Sequence, residues 1–227
     1  MSLPVQEHVQ VVRVTDLDRD LPTCIAIRER VFSDLTEKLA AKKGIPPKEM
    51  RTPTVRSAAD RELYHFLAYY TESVATAASE LAAGADSDPT AKSGQPGEPI
   101  PVGTLRLMVQ KSPERLLEYI DKNSANIPAE ELESLRRAKC DDDVDTQALY
   151  YARVSQLAVL PDHHKHGVGR RLMAAAEGFV KEEFGVRLMK LHAAEDAVHF
   201  YRKLGYKDIG KPYIEGDIVI QDVYKEM

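Results

Sequence analysis

Two cysteines, Cys24 and Cys140, are all that the 227 residues contain. That is too few for a disulfide framework and predicts a reducing intracellular compartment. Long apolar runs are missing as well. None approaches the roughly 20 residues a membrane span needs, so no membrane partner is expected. The opening Met1-Ser2-Leu3-Pro4-Val5-Gln6-Glu7 lacks the basic-then-apolar pattern of a signal peptide. Both observations predict a cytoplasmic protein. Dense Lys/Arg clusters are absent and the formal net charge is -5, which argues against a nucleic-acid partner. What the chain does have is 43% apolar residues, enough for one domain with a sizeable core plus additions. Cys24 falls on a helical apolar stripe with Leu21, Ile25, Val31 and Phe32, and reads as core.

The densest signal lies between Leu157 and Met173. A short apolar run, Leu157-Ala158-Val159-Leu160, stops at Pro161. A loop carrying His163, His164, Lys165 and His166 follows, and Gly167 and Gly169 open a helix. Glycine lets the backbone come close to a ligand, and the first N–H groups of a helix have no intrahelical partner. With the positive end of the macrodipole added, this is a site for a phosphate or pyrophosphate. An ordinary strand–loop–helix connection with a solvated basic loop has the same outline. A Walker loop is excluded, because Gly169 is followed by Arg170 and Arg171. A dinucleotide-binding fingerprint fails too, since Leu172 stands where a third small residue is required. Three histidines invite a zinc reading, but such a site usually needs a fourth ligand and a fixed geometry. No metal is expected.

The segment His164-Lys165-His166-Gly167-Val168-Gly169 resembles motif A of the GNAT acetyltransferase superfamily. There, Gln/Arg-x-x-Gly-x-Gly/Ala joins an apolar strand to an amphipathic helix, and His164 stands where the family has Gln or Arg. Downstream, Ala197-Val198-His199-Phe200-Tyr201-Arg202-Lys203-Leu204-Gly205-Tyr206 resembles the family's Ala-x-x-Phe-Tyr-x-x-x-Gly-Phe motif. Near the N-terminus, Ile27-Arg28-Glu29-Arg30-Val31-Phe32 and His65-Phe66-Leu67-Ala68 resemble the ElaA-like and YjcF-like branch. The resemblance covers most of the chain outside about 72–100 and 110–148. It implies an α/β GNAT fold: a mixed, mostly antiparallel central sheet flanked by helices and splayed between strands 4 and 5.

The order of elements agrees with that expectation. Strands are predicted at Val9 to Thr15, Tyr64 to Tyr70, Val102 to Val109, Tyr150 to Leu160 and Leu188 to His192. Tyr206 to Gly210 and Asp217 to Tyr224 would close the sheet. Helices are predicted at Leu21 to Phe32, Gly167 to Phe184 and Asp196 to Leu204, with a separate polar helix or arm from Leu35 to Lys43. Arg51 to Asp60 reads as loop. The domain is taken as 1–227, with a mobile low-complexity loop at about 72–100 and a helical insertion at about 111–148.

The resemblance implies transfer of an acetyl group from acetyl-coenzyme A to a primary amine by direct attack in a ternary complex. The pyrophosphate would sit on backbone N–H groups from His164 and Lys165 through His166, Gly167, Val168 and Gly169 to Arg170. Arg170 or Arg171 would reach the adenosine phosphates. The pantetheine arm would pair with the edge of the fourth strand at Leu157, Ala158 and Val159, where an N–H could hold the developing oxyanion. Tyr201 matches the family's general acid, although an amphipathic helix also buries such aromatics as core. For the general base the candidates are His65, Asp60 and the acidic run at 141–145, with His65 favoured by its pKa range; a lone strand histidine is also often structural. A net acidic chain favours a small cationic amine as acceptor. A peptide amine, or a non-catalytic acyl-coenzyme A sensor, fits the same motifs, and the resemblance admits a homodimer through the last strands.

Overall fold

The computed structural model describes residues 8–50, 56–71, 98–111, 150–186 and 188–227. The low-complexity loop expected at 72–100 and the helical insertion expected at 111–148 fall almost wholly outside these residues, as does the acidic run at 141–145.

The described chain runs β1 (His8–Arg13), α1 (Leu17–Lys43), β2 (Tyr64–Thr71), β3 (Ile100–Lys111), β4 (Tyr150–Val159), α2 (Val168–Phe184), β5 (Leu188–Ala194), α3 (Glu195–Lys203), β6 (Lys207–Glu215) and β7 (Ile218–Glu226). The seven strands form one sheet in the order β1-β2-β3-β4-β5-β7-β6. Every neighbouring pair is antiparallel except β4 and β5, which are parallel. This is the mixed, mostly antiparallel sheet expected from the motifs.

Alternation along β2 divides the core. Phe66, Ala68 and Tyr70 face one side and pack with Val168, Leu172, Met173, Ala176 and Val180 of α2 and with Val198 and Tyr201 of α3. Leu67 faces the other side with Leu21, Cys24 and Ile27 of α1. Cys24 is fully buried, as its stripe predicts. Burying the five α2 side chains contributes on the order of 10 kcal/mol at about 1.5–3 kcal/mol for each large one.

Three departures from expectation concern α1, the segment before β2 and the last two strands. The helix and the polar arm predicted at the N-terminus are one 27-residue helix, α1. The apolar spacing through Arg28, Val31, Phe32, Leu35 and Leu39 continues unbroken past Ser33 and Asp34, and no αL residue intervenes before Gly44. Asp16 caps its start, accepting from the Arg19 N–H, and Gly44 ends it at φ 69. Part of the loop predicted at 51–60 is helical: Ala58–Glu62 is a 3₁₀ turn closed by a capping box between Ser57 and Asp60. Finally, the last two strands are longer than predicted, and a register shift between Ile209 and Tyr213 absorbs Gly210 and Pro212.

Candidate active site

The parallel pair is short. β4 and β5 are in register only from Tyr151↔Leu188 to Val154↔Leu191. β5 then follows β7 to Ala194↔Ile220, while β4 follows β3 to Gly103↔Val159. Beyond Val154 the two strands part, and the β5-facing edge of residues 155–159 is open. Backbone N–H groups alternate sides along a strand. The Leu160 N–H donates to the Val102 carbonyl in β3, so those of Leu157 and Val159 turn to the open edge. Ala158 sits opposite Thr104 in β3 and is buried; it spaces the two rather than facing the gap.

The loop after β4 is fastened to that edge. The His164 Nε2–H donates to the Val159 carbonyl at 2.9 Å. Lys165, at φ 69, is the one non-glycine residue with positive φ among those described. Gly167, at φ 75, is the N-cap of α2 and offers no side-chain cap to the first turn. A Cβ at Gly167 would meet nothing within 4 Å, so backbone conformation is what requires glycine there. A Cβ at Gly169 would lie 3.2 Å from the Phe200 ring of α3, so the second glycine lets the two helices pack closely without displacing that ring. Buried Val168 anchors the first turn in the core, while Arg170 is exposed. Arg171 Nη1 donates to the Val9 carbonyl at 3.3 Å, tying α2 to β1. Of the two arginines expected to reach phosphates, Arg171 thus has a structural partner. His166 packs beside Tyr70, ring centroids 5.6 Å apart.

A cavity of about 230 Å³ fills the fork, walled by Val31, Phe32 and Thr36 of α1, Gln156 and Leu157 of β4, His192 of β5 and Tyr201 of α3. A second hollow of about 430 Å³ adjoins it, sharing Leu35, Ala194, Ala197 and Ile218 and reaching Lys43, Glu195, Asp196 and Asp217. Tyr201 is 7% exposed, and burial pushes its hydroxyl well above the usual tyrosine range. At neutral pH it is therefore a proton donor. Among the described residues its hydroxyl has no hydrogen-bond partner.

His65, the base favoured by the sequence, does not join Tyr201. Its imidazole is fully buried on the α1 side of β2, with Nε2–H donating to the Asp60 carbonyl at 2.8 Å and Nδ1 buried without a partner. It is absent from the walls of both cavities. Burial lowers its pKa, and the nearby Arg28 and Arg106 charges add to that, so it is neutral in the fold. An unfolded histidine titrates near 6.5. The unfolded chain thus binds a proton that the folded chain refuses, and stability should fall as pH drops below about 6.5. The slope is about 1.4 kcal/mol per pH unit until the folded pKa is reached. Urea unfolding at pH 7.5 and 5.5 checks this, with His65→Gln as the variant expected to lose most of the difference.

Asp60 likewise lies behind the cleft. It is 4% exposed and binds Arg106 Nη1 at 2.8 Å, Arg28 Nη1 at 3.2 Å and the Ser57 N–H at 3.0 Å. Burial alone would raise its carboxyl; the Arg106 and Ser57 hydrogen bonds and the Arg28 charge hold it below the usual carboxylate range. Arg28, fully buried, also donates to Gln156 Oε1 at 2.7 Å. The network thereby ends on a residue of the cleft wall.

One polar group on the wall was not anticipated. His192 Nδ1 lies 2.5 Å from Asp222 Oδ1 and 3.1 Å from the Tyr213 hydroxyl, which itself donates to Asp222 Oδ1 at 3.1 Å. The three residues come from β5, β7 and β6. Nothing in their sequence spacing reveals the meeting, which depends on the register His192↔Asp222.

The model of the acetyltransferase (GNAT) domain matches residues 115–208, a range holding the fork, the loop and Tyr201. Over these residues the chain is similar to that family. A candidate acetyltransferase of Bacillus subtilis (strain 168) is 32% identical over 62 residues, 27% of this chain and 42% of that protein. The chain spans less than half the length of the curated relatives it matches. Two solved structures share the fold, each with a TM-score of 0.52. One is a candidate N-acetyltransferase from Lactobacillus plantarum, at 16% identity over 96% of this chain and 97% of that one. The other is Arabidopsis thaliana Naa50 in complex with the bisubstrate analogue CoA-Ac-MVNAL, at 14% identity over 96% and 99%. Among the described residues no helix is long and apolar enough to cross a membrane. None of their His, Cys, Asp and Glu side chains forms a group of three that could hold a metal ion.

Proposed function

We propose that the protein is a cytoplasmic acetyl-coenzyme A-dependent N-acetyltransferase acting on a primary amine of a small molecule, its one domain spanning 1–227. The observation that carries this reading is the fork between β4 and β5, with a protonated, unpartnered Tyr201 hydroxyl in its wall. The residues fit the donor. The backbone of Leu157 and Val159 would hold the pantetheine arm, and the uncapped first turn of α2 from Gly167 to Arg170 the pyrophosphate. When bound, the coenzyme supplies an activated acetyl thioester. Tyr201 then donates its proton to the departing sulfur, and the cleft walls align the amine for direct attack. Such alignment can supply about 7–11 kcal/mol of the barrier.

The first cavity is largely apolar, from Val31 and Phe32 on α1 to Leu157 and Ile220 on the sheet. It suits an amine with an apolar body, while Glu195 and Asp196 in the adjoining hollow would draw in its ammonium. The continuity of the two hollows along α1 also supports a second reading, a peptide α-amine. The test is calorimetric titration with acetyl-coenzyme A, then a free-thiol assay with phenethylamine, spermidine and a pentapeptide with a free N-terminus. Thiol release with phenethylamine supports the first reading and release with the peptide alone the second. Binding without release from any amine sinks both in favour of an acyl-coenzyme A sensor. Light scattering on the same sample checks for the homodimer that such folds admit.

The αL position of Gly167 yields a further expectation. Alanine there costs about 1–2 kcal/mol in backbone strain with no new contact. The free variant relieves that strain by leaving αL and binding must restore it, so Gly167→Ala should weaken acetyl-coenzyme A binding by about tenfold while Tyr201-dependent turnover at saturation persists. Calorimetry on the variant decides this.

A further inference from the structure

We propose that His192, held by Asp222, accepts the proton that the incoming ammonium must lose before it can attack. The inference rests on the acetyl-transfer reading above, which leaves the proton acceptor unassigned once His65 is found sealed in the core.

The argument starts from the register of three strands. β5 leaves β4 after Leu191, so His192 is the first β5 residue beyond the shared ladder. Its imidazole lines the same cavity as Tyr201. Its cross-strand partner on β7 is Asp222, whose Oδ1 lies 2.5 Å from Nδ1. A carboxylate can only accept, so Nδ1 carries the hydrogen, and in the neutral ring Nε2 is left with its lone pair. Among the described residues Nε2 has no hydrogen-bond partner. Tyr213 of β6 donates to the same Asp222 oxygen, and its hydroxyl lies 3.1 Å from His192 Nδ1 as well. The His192 side chain keeps 36% of its exposure, against 14% for Asp222. The ring therefore opens on the cleft while its orienting carboxylate is shielded.

The charged neighbours pull in two directions. Asp222 on β7 stabilises the protonated ring. Lys190, two residues earlier on the same strand face, and Arg153, its partner across the β4–β5 pair, oppose it. Burial, with the Arg153 charge adding, lowers the Lys190 ammonium to about 8. The phenol of Tyr213 stays neutral, because burial and the Asp222 charge both raise its pKa.

The balance is simple. The ammonium gives one proton to His192 Nε2, and the free amine forms the C–N bond at the acyl thioester carbon. The C–S bond breaks with its electron pair on sulfur, which takes the Tyr201 proton. The second proton lost from nitrogen restores Tyr201, and His192 returns its own to solvent. His192 is then a catalytic residue; Asp222 and Tyr213 are positioning residues.

The test combines spectroscopy with kinetics. Two-bond proton–nitrogen correlation spectra of the ¹⁵N-histidine protein should show His192 as the Nδ1–H tautomer, and Asp222→Asn should mix the tautomers. With the best amine of the panel, His192→Gln should lower kcat/KM by about 10²-fold, with acetyl-coenzyme A affinity unchanged. Asp222→Asn should lower kcat more than it changes KM. An Nε2–H tautomer overturns the proposal, as does a His192→Gln enzyme within threefold of the original. If the unaltered protein acetylates no amine, the acetyl-transfer reading itself falls, an outcome distinct from an active His192→Gln variant.

Discussion

Asp60→Ala is expected to destabilise the protein by about 3–5 kcal/mol, the range for removing one partner of a buried ion pair. The carboxylate is the sole anion within hydrogen-bond reach of two guanidiniums among the described residues. Arg28 is fully buried and Arg106 is 11% exposed in its side chain. Removing it leaves both cations in the core, with Arg28 Nε already lacking a partner. The same carboxylate closes the capping box of the 3₁₀ turn by accepting the Ser57 N–H. Folded domains hold only about 5–15 kcal/mol in total, so this single change uses a large fraction of the margin. Chemical denaturation with linear extrapolation measures it; a loss below about 1 kcal/mol would show that water reaches the arginines. Asp60→Asn should cost less, because the amide oxygen can still accept. The pH dependence has a definite sign. The folded pKa lies below the unfolded value near 3.9, so the contribution is present above about pH 4 and is lost as pH falls toward the folded value.

Tyr201→Phe should lower kcat by about 10²-fold or more, within the range for losing a positioned general acid. The ring itself is part of the core, 5.0 Å from Phe200 and 5.9 Å from Tyr206 between centroids. Phenylalanine keeps that packing and removes only the oxygen, which makes no hydrogen bond to a described residue. The melting temperature should therefore stay within a few degrees, and affinity for acetyl-coenzyme A should be unchanged. Steady-state turnover beside a thermal melt separates the two effects. A variant turning over within threefold of the original would reduce Tyr201 to a core aromatic.

What could be read from the sequence was what is local in it. The glycine loop, the strand before it and the Phe-Tyr pair are each contiguous, so the fold could be read from them and Tyr201 singled out as a candidate. The long-range meetings were not legible. Arg28, Asp60, Arg106 and Gln156 converge from four separate elements. His192 and Asp222 meet because two antiparallel strands adopt one register, and a slip of one residue would send them to opposite faces. His65 was misleading for a related reason. A histidine on a strand looks the same whichever face it takes, and this one faces the side that α1 seals. The α1 boundary was misplaced because polar residues at 33–34 resemble a break when read by composition, although they lie on the helix's open side.

The fork between β4 and β5 also has a mechanical side. Four residue pairs carry the whole ladder between the β1–β4 half of the sheet and the β5–β7 half, whereas nine join β3 to β4. Local opening concentrates where few backbone bonds must break together, so this junction is the seam along which the fold parts first. A ligand gripping both lips of the gap acts there as a clasp. Its binding energy is spent on holding two halves of one sheet in a single piece.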